Sequence, residues 1–266
     1  MRIGIIGCGN MGGALTRGIL SKRILPFNNI YVNDRDQQKT RELYRKFGIR
    51  VTDAQELVRR SNFIIVAVKP QDAGRILGSI AKDLDSAKHL ISIMAGLSLA
   101  KIEKLTGRKI AVTRAMPNMA AIAGKSMTCV CHNKRVKEKA VVNRIFSSVG
   151  EVIELDEKHM DAVTAVSASG LAYFYHLAEC LRDAAVKLGL KKEHAVKFAE
   201  ETLIGSGALL EHAQTGAEVL RERITSKKGT TEAALSVLRS KEFKRLVLMA
   251  VNEAARRSKE LSKTAL

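Results

Sequence analysis

The chain has 266 residues, enough for one large domain or two ordinary ones, and its 46% apolar and 27% charged composition marks a folded chain rather than a disordered one. Its apolar runs, FIIVAV (63–68) among them, fall far short of the roughly 18–20 residues that a membrane helix takes, so no bilayer span is expected. Lysine and arginine number 45 against 27 aspartates and glutamates, a net charge of +18, but the basic residues are spread among acids and aromatic content is only 4%, so a solvated basic surface is expected and nucleic acid is not the expected partner.

The chain opens with MRIGIIGCGNMGGALTRGIL. An export signal needs an unbroken apolar stretch of about 7–15 residues, and Gly7, Gly9 and Asn10 interrupt this one. A strand, a glycine turn and a helix account for more of the letters. Ile3, Ile5 and Ile6 make a short strand apolar on both faces, as a central parallel strand is, and Met11, Leu15 and Ile19 recur every four residues as on the buried side of a helix. Between them, Gly7-Cys8-Gly9-Asn10-Met11-Gly12 fits G-x-G-x-x-G. The first glycine permits the tight turn, the second lets backbone approach a pyrophosphate, and the third lets the helix lie close to the strand. The helix N-terminus then points free N–H groups at the phosphates. These six residues are candidate dinucleotide-binding residues.

NIYVND (29–34) reads as the next strand, ending in Asn33, Asp34 and Arg35. An acid there suits the adenosine 2′-OH of NAD and an arginine suits the 2′-phosphate of NADP; Asp34 beside Arg35 leaves that choice open. Asp53 with Glu56 three residues later looks like a capping box starting a short helix to Arg60. FIIVAV (63–68), HLISIM (89–94) and KIAVTRAM (109–116) are buried strands, with helices at 71–83 and at 98–106, the latter closed by Gly107. SMTCVCH (126–132) and EVIELD (151–156) add two strands around a helix whose inner face is Val142, Ile145, Phe146 and Val149. Repeated βα units imply a Rossmann-like, mostly parallel, doubly wound α/β sheet over residues 1–156, with ligand at the carboxyl ends of its strands.

Past residue 157 the strand signal vanishes, and 159–263 reads as helix throughout. The apolar spacing in 171–189 and 195–210 is too dense for one small bundle to cover. Residues 157–266 are therefore expected to form an all-α domain that builds a homodimer interface. Cys8, Cys129, Cys131 and Cys180 form no Cys-x-x-Cys pair, so no metal site is expected, and buried thiols in a reducing compartment are.

AVKPQD (67–72), TRAMPN (113–118), EKHMDAVTAVSASGLAY (157–173) and ITSKKGTTEAAL (224–235), in this order behind the glycine turn, resemble pyrroline-5-carboxylate reductase over nearly the entire chain. In that family a nicotinamide cofactor, NADPH or NADH, reduces a cyclic imine acid to proline. The resemblance implies that Val68, Lys69 and Pro70 line the nicotinamide side of the cleft, with Met94, Ala95 and Gly96 beside the ring, and that Glu157 helps shape the cofactor cleft at the domain junction. It places Met116, Pro117 and Asn118 in the substrate site. The loop carrying Ser226, Gly229, Thr230 and Thr231 precedes a helix, where N–H groups and hydroxyls suit a substrate carboxylate. By family position Thr231 is the hydroxyl that orients the imine nitrogen or relays a proton. Related β-hydroxyacid dehydrogenases need a lysine in G-x-x-x-K-x-x-N; counting from Gly170, those positions are Phe174 and Leu177, so alcohol oxidation is disfavoured.

The chain departs from the family in places. The family usually reads Ser-Gly-Ser-Gly-Pro-Ala-Tyr where Ser167 to Tyr173 stand, and Ser-Pro-Gly-Gly-Thr-Thr where Ser226-Lys227-Lys228-Gly229-Thr230-Thr231 stand. A usual Thr-Pro is Met119-Ala120 and a common Asn is Ala54. Replacing the proline and glycine of the carboxylate loop bears most on the substrate, because lysine resists the backbone angles glycine allows. The expectation is a cytoplasmic homodimer or higher oligomer that reduces 1-pyrroline-5-carboxylate to L-proline. The alternatives are a reductase of another cyclic imine acid and a catalytically weakened dinucleotide-binding paralogue with a regulatory role.

Overall fold

A computed structural model describes residues Met1–Thr264. Its first compact unit comprises Met1–Ala168 together with residues 254–264; the second is Ser169–Glu253.

The first unit alternates strands and helices: β1 (Ile3–Ile6), α1 (Asn10–Ser21), β2 (Ile30–Asn33), α2 (Gln37–Phe47), β3 (Arg50–Val51), α3 (Ala54–Arg60), β4 (Phe63–Val66), α4 (Ala73–Ile80), β5 (His89–Ser92), α5 (Leu99–Thr106), β6 (Ala111–Met116), β7 (Ser126–His132), α6 (Lys139–Ser147), β8 (Gly150–Glu154) and a single turn, α7 (Met160–Val163). The sheet runs β3-β2-β1-β4-β5-β6-β7-β8, so strand order reverses between β1 and β4. Every pairing is parallel except β6 with β7. The antiparallel pair follows from chain length: residues 117–125 between them hold only a short 3-10 turn, and a parallel return needs a crossover of a dozen residues or more.

The apolar strands bury both faces. Ile3, Ile5 and Ile65 pack under Leu15 and Ile19 of α1 and Val142, Ile145 and Phe146 of α6. Ile6, Ile64 and Leu90 pack under Leu57 and Val58 of α3, Leu77 of α4 and Ile102 of α5. Each such side chain withdrawn from water contributes roughly 1.5–3 kcal/mol, and these two layers hold the sheet in place. Asp53 caps α3 by accepting from Glu56 N–H at 2.7 Å, and Gly107 closes α5 in the left-handed conformation, both as the sequence implied. The helix expected over 71–83 is instead a 3-10 turn at Pro70–Asp72, the short α4 and a second 3-10 turn at Ala81–Asp83. The edge strand β3 was not expected; its two residues are both exposed and leave no apolar period to read.

The chain stays with the sheet past residue 157. Met160 is fully buried with Met116, Cys129 and Cys131, and a π-helical turn over 164–168 follows α7. The sequence division at 156/157 therefore lies ahead of the point where the compact units part, after Ala168.

The second unit is helical: α8 (Gly170–Lys187), α9 (Lys192–Ala213), α10 (Ala217–Arg223), α11 (Thr230–Ser240) and the start of α12 (Phe243–Thr264). Among its described residues only Gly170, Ala195 and Ala199 are buried. Phe174, Phe198, Ile204 and Met249 are each more than half exposed. A helical unit whose large apolar side chains face outward has no core of its own, so it is completed by another surface. Cys180 belongs to this uncovered face and is exposed, correcting the expectation of four buried thiols; Cys8, Cys129 and Cys131 are buried. The last turns of α12 return to the first unit, where Ser258 Oγ donates to Asp161 Oδ1 at 2.7 Å and Lys101 Nζ donates to Ser262 O at 3.2 Å. Among the described residues no helix is long and apolar enough to cross a membrane.

Candidate active site

At the switch point between β1 and β4 the glycine turn is held on both sides. Gly7 N–H donates to Asn33 O at 2.7 Å, and Gly7 takes φ +100°, where a side chain would stand 2.5 Å from Ala67 O. A Cβ on Gly12 would lie 1.9 Å from Gly7 O, so the third glycine is what lets α1 start directly beside the strand end. Gly9, by contrast, opens onto free space. No side chain caps α1 and no acid stands in its first turn, so the leading N–H groups from Asn10, Met11 and Gly12 remain available. An uncapped helix start with its positive dipole end turned outward fits a pyrophosphate.

The residues ending β2 are fixed by hydrogen bonds. Asn33 Nδ2 donates to Thr52 O at 2.8 Å. Asp34 accepts from two backbone amides, Cys8 N–H at 2.6 Å on Oδ2 and Asp36 N–H at 2.8 Å on Oδ1. Burial, with Asp34 adding to it, pushes the Cys8 thiol up to about 12, so Cys8 contributes backbone rather than a nucleophile. A cleft of about 280 Å³ opens here, walled by Gly7, Gly9 and Asn33–Arg35 on one side and by Val68 and Lys69 on the other. Pro70 begins the 3-10 turn that follows Lys69. Three charged residues not singled out in the sequence also line the cleft: Lys39 of α2, Asp72, and Arg75 of α4. AVKPQD contained Asp72, but nothing in its spacing showed that it would face the end of β2.

Beyond β5, Met94 is buried and Gly96 takes φ +73°. Glu157, expected at the cofactor cleft, sits over the start of α5: its Oε1 accepts from Leu99 N–H at 2.7 Å and from Arg114 Nη1 at 3.3 Å. It is thus a brace on the 94–99 segment, paired with an arginine whose side chain is only 5% exposed. Met116 ends β6 and Pro117 and Asn118 follow it, all three buried. The Asn118 amide is engaged as a strut, donating to Ser167 Oγ at 3.0 Å and accepting from Ala120 N–H at 3.2 Å.

The remaining site residues lie in the second unit. Gly229 N–H donates to Ser226 O at 3.0 Å, closing a tight turn, and α11 begins at Thr230 with no cap from Gly229, while Glu232 of its first turn accepts from Lys228 N–H. Lys228 takes φ +60°, the left-handed region, at the position where the family usually carries glycine. The altered loop thus keeps a glycine-type bend despite losing the glycine. Lys227 and Lys228 are exposed, and Thr231 is half-buried. Among the described residues no group of three His, Cys, Asp or Glu side chains is placed to hold a metal ion.

Residues 157–261 match the family model described as pyrroline-5-carboxylate reductase dimerisation, and residues 2–96 match the model described as NADP oxidoreductase, coenzyme F420-dependent. Pyrroline-5-carboxylate reductase 2 of Bacillus subtilis is 34% identical over 264 residues, covering 98% of this chain and 95% of its own. The solved pyrroline-5-carboxylate reductase of Coxiella burnetii is 32% identical, with a TM-score of 0.93 over 99% of both chains. Pyrroline carboxylate reductase of Plasmodium falciparum, solved with NADP bound, is 33% identical, with a TM-score of 0.84 over 98% of both chains. With identity of this order along almost its full length, the chain belongs to the pyrroline-5-carboxylate reductase family.

Proposed function

We propose that the protein reduces 1-pyrroline-5-carboxylate to L-proline with NADPH or NADH, as a cytoplasmic homodimer or higher oligomer. The observation that carries the reading is the pairing, in one chain of this family, of two helix starts whose N-cap residue makes no side-chain cap: α1 behind the glycine turn, and α11 behind Ser226-Lys227-Lys228-Gly229, where Glu232 of the first turn accepts only from the Lys228 N–H. Each offers backbone N–H groups to an anion, the first to a diphosphate and the second to a carboxylate.

The nicotinamide, when bound, supplies a hydride to the carbon of the C=N bond. The chain's own residues do the placing. Gly7 to Gly12 hold the diphosphate, with Asn33–Arg35 at the adenosine end. Val68, Lys69 and Pro70, with Met94, Ala95 and Gly96, receive the nicotinamide end, and Glu157 steadies the segment that follows Gly96 through Leu99 N–H. Ser226, Gly229 and Thr230 receive the substrate carboxylate, while Met116, Pro117 and Asn118 close the substrate side. The Thr231 hydroxyl orients the ring nitrogen and relays its proton. A protonated imine is already a good hydride acceptor, so placement supplies most of the rate.

A second reading, reduction of a different cyclic imine acid, draws on Lys227 and Lys228, whose charges stand where the family has none. Measuring NADPH oxidation with pyrroline-5-carboxylate and then with six-membered imine acids decides between them. Faster turnover of the five-membered ring supports the first reading. Preference for a larger ring supports the second, and tight cofactor binding without turnover of any imine supports a catalytically weakened paralogue.

A further inference from the structure

The adenosine end of the cleft carries a charge arrangement that the sequence left undecided. Asp34, the residue that would favour NADH by accepting from a ribose hydroxyl, already accepts from Cys8 N–H at 2.6 Å and Asp36 N–H at 2.8 Å. Each of its oxygens is engaged by the loop, so the carboxylate acts as a brace between β2 and the glycine turn. Around it, four cations line the cleft, Arg35, Lys39, Lys69 and Arg75, against the two acids Asp34 and Asp72.

Two of those cations are gathered by one acid. Asp72 Oδ1 accepts from Arg75 Nη2 at 3.2 Å, and Asp72 Oδ2 lies 3.8 Å from Arg35 Nη1. Arg35 comes from the loop after β2 and Arg75 from the first turn of α4, so Asp72 draws guanidinium groups from two separate elements to one place. Both arginines remain mostly exposed, at 73% and 63% of their side-chain surface, and each has several N–H donors beyond the one turned toward Asp72. A tetrahedral dianion with three acceptor oxygens matches such a pair of forks far better than a neutral hydroxyl does.

We propose that Arg35 and Arg75, positioned by Asp72, form a receiver for the adenosine 2′-phosphate, so that the protein selects NADPH over NADH. This rests on the cleft being the nucleotide site and is independent of which imine is reduced. Arg75 and Asp72 are then specificity-determining residues contributed by the β4–α4 connection rather than by the end of β2.

The test uses two fragments that lack nicotinamide, adenosine 2′,5′-bisphosphate and adenosine 5′-monophosphate, titrated calorimetrically into the full chain. The bisphosphate is expected to bind at least tenfold more tightly at low ionic strength, with the ratio shrinking as salt screens the contact. Arg75→Ala and Arg35→Ala are each expected to cut that ratio several-fold, and the double variant to bring it near one. The same variants are expected to lower the NADPH-to-NADH ratio of kcat/KM in the imine assay. Equal affinity of the unaltered protein for the two fragments overturns the proposal, as does an equal proportional loss of both fragments in the arginine variants. A retained bisphosphate preference without imine turnover leaves this proposal standing and removes the functional one.

Discussion

At the amino ends of the central strands, opposite the cleft, lies a buried polar chain. His89 Nε2 and His132 Nδ1 both stand 2.7 Å from the Thr113 hydroxyl, joining β5, β6 and β7. His89 is only 4% exposed, and burial, with His132 adding to it, pushes its imidazole down to about 4 from the ordinary 6.5. The folded protein therefore holds this ring neutral while the unfolded chain protonates it near 6.5. The stability it contributes is fully present above that value and is lost as pH falls toward 4. A difference of about 2.5 pH units at 1.36 kcal/mol each amounts to about 3 kcal/mol. His132, also pushed down by burial, steepens the same loss. Denaturant unfolding at a series of pH values from 7.5 to 4.5, for the unaltered protein and for His89→Gln, measures it. The variant is expected to start less stable and to lose stability with a shallower slope between pH 6.5 and 4.5. Identical slopes, or a ring in the folded protein that titrates near 6.5 by NMR, refute the reasoning.

Gly12→Ala puts a methyl 1.9 Å from Gly7 O, so the start of α1 must shift away from the turn; cofactor affinity is expected to fall at least tenfold by calorimetry while circular dichroism reports a folded protein. Lys228→Gly relieves a left-handed conformation that costs a side-chain-bearing residue about 1 kcal/mol, and thermal unfolding is expected to show a gain of that order; no gain removes the strain reading. Thr231→Ala is expected to lower kcat at least tenfold and leave cofactor affinity unchanged, and undiminished turnover takes Thr231 out of its assigned role.

Much of the cleft was readable because its parts are local. The strand–glycine–helix unit announces itself within twenty residues, and Val142, Ile145, Phe146 and Val149 fall at helical spacing and are all buried. The antiparallel β6–β7 pair was implicit in the short 117–125 connection. Other features depend on tertiary approach and leave no local trace. Lys39 and Arg75 reach the cleft from different helices, Glu157 braces α5 from 58 residues away, and Asp34 is committed to Cys8 N–H across 26. Lys228 is a case of the reverse kind: its identity argued against a glycine-type bend, and the closure of Gly229 N–H onto Ser226 O holds the chain there nonetheless. Cys180 was expected to be buried like the other three thiols, but it lies on α8, whose apolar side chains are left uncovered within the described chain.

In the proposed reaction, hydride passes from a dinucleotide held by the glycine turn to a five-membered imine acid. Incubation of the protein with NADPH deuterated at nicotinamide C4 and unlabelled pyrroline-5-carboxylate, followed by mass spectrometry of the product, tests it most directly. The account predicts proline carrying one deuterium at its C5. Proline formed without deuterium from either labelled face of the nicotinamide, or none formed at all, contradicts it.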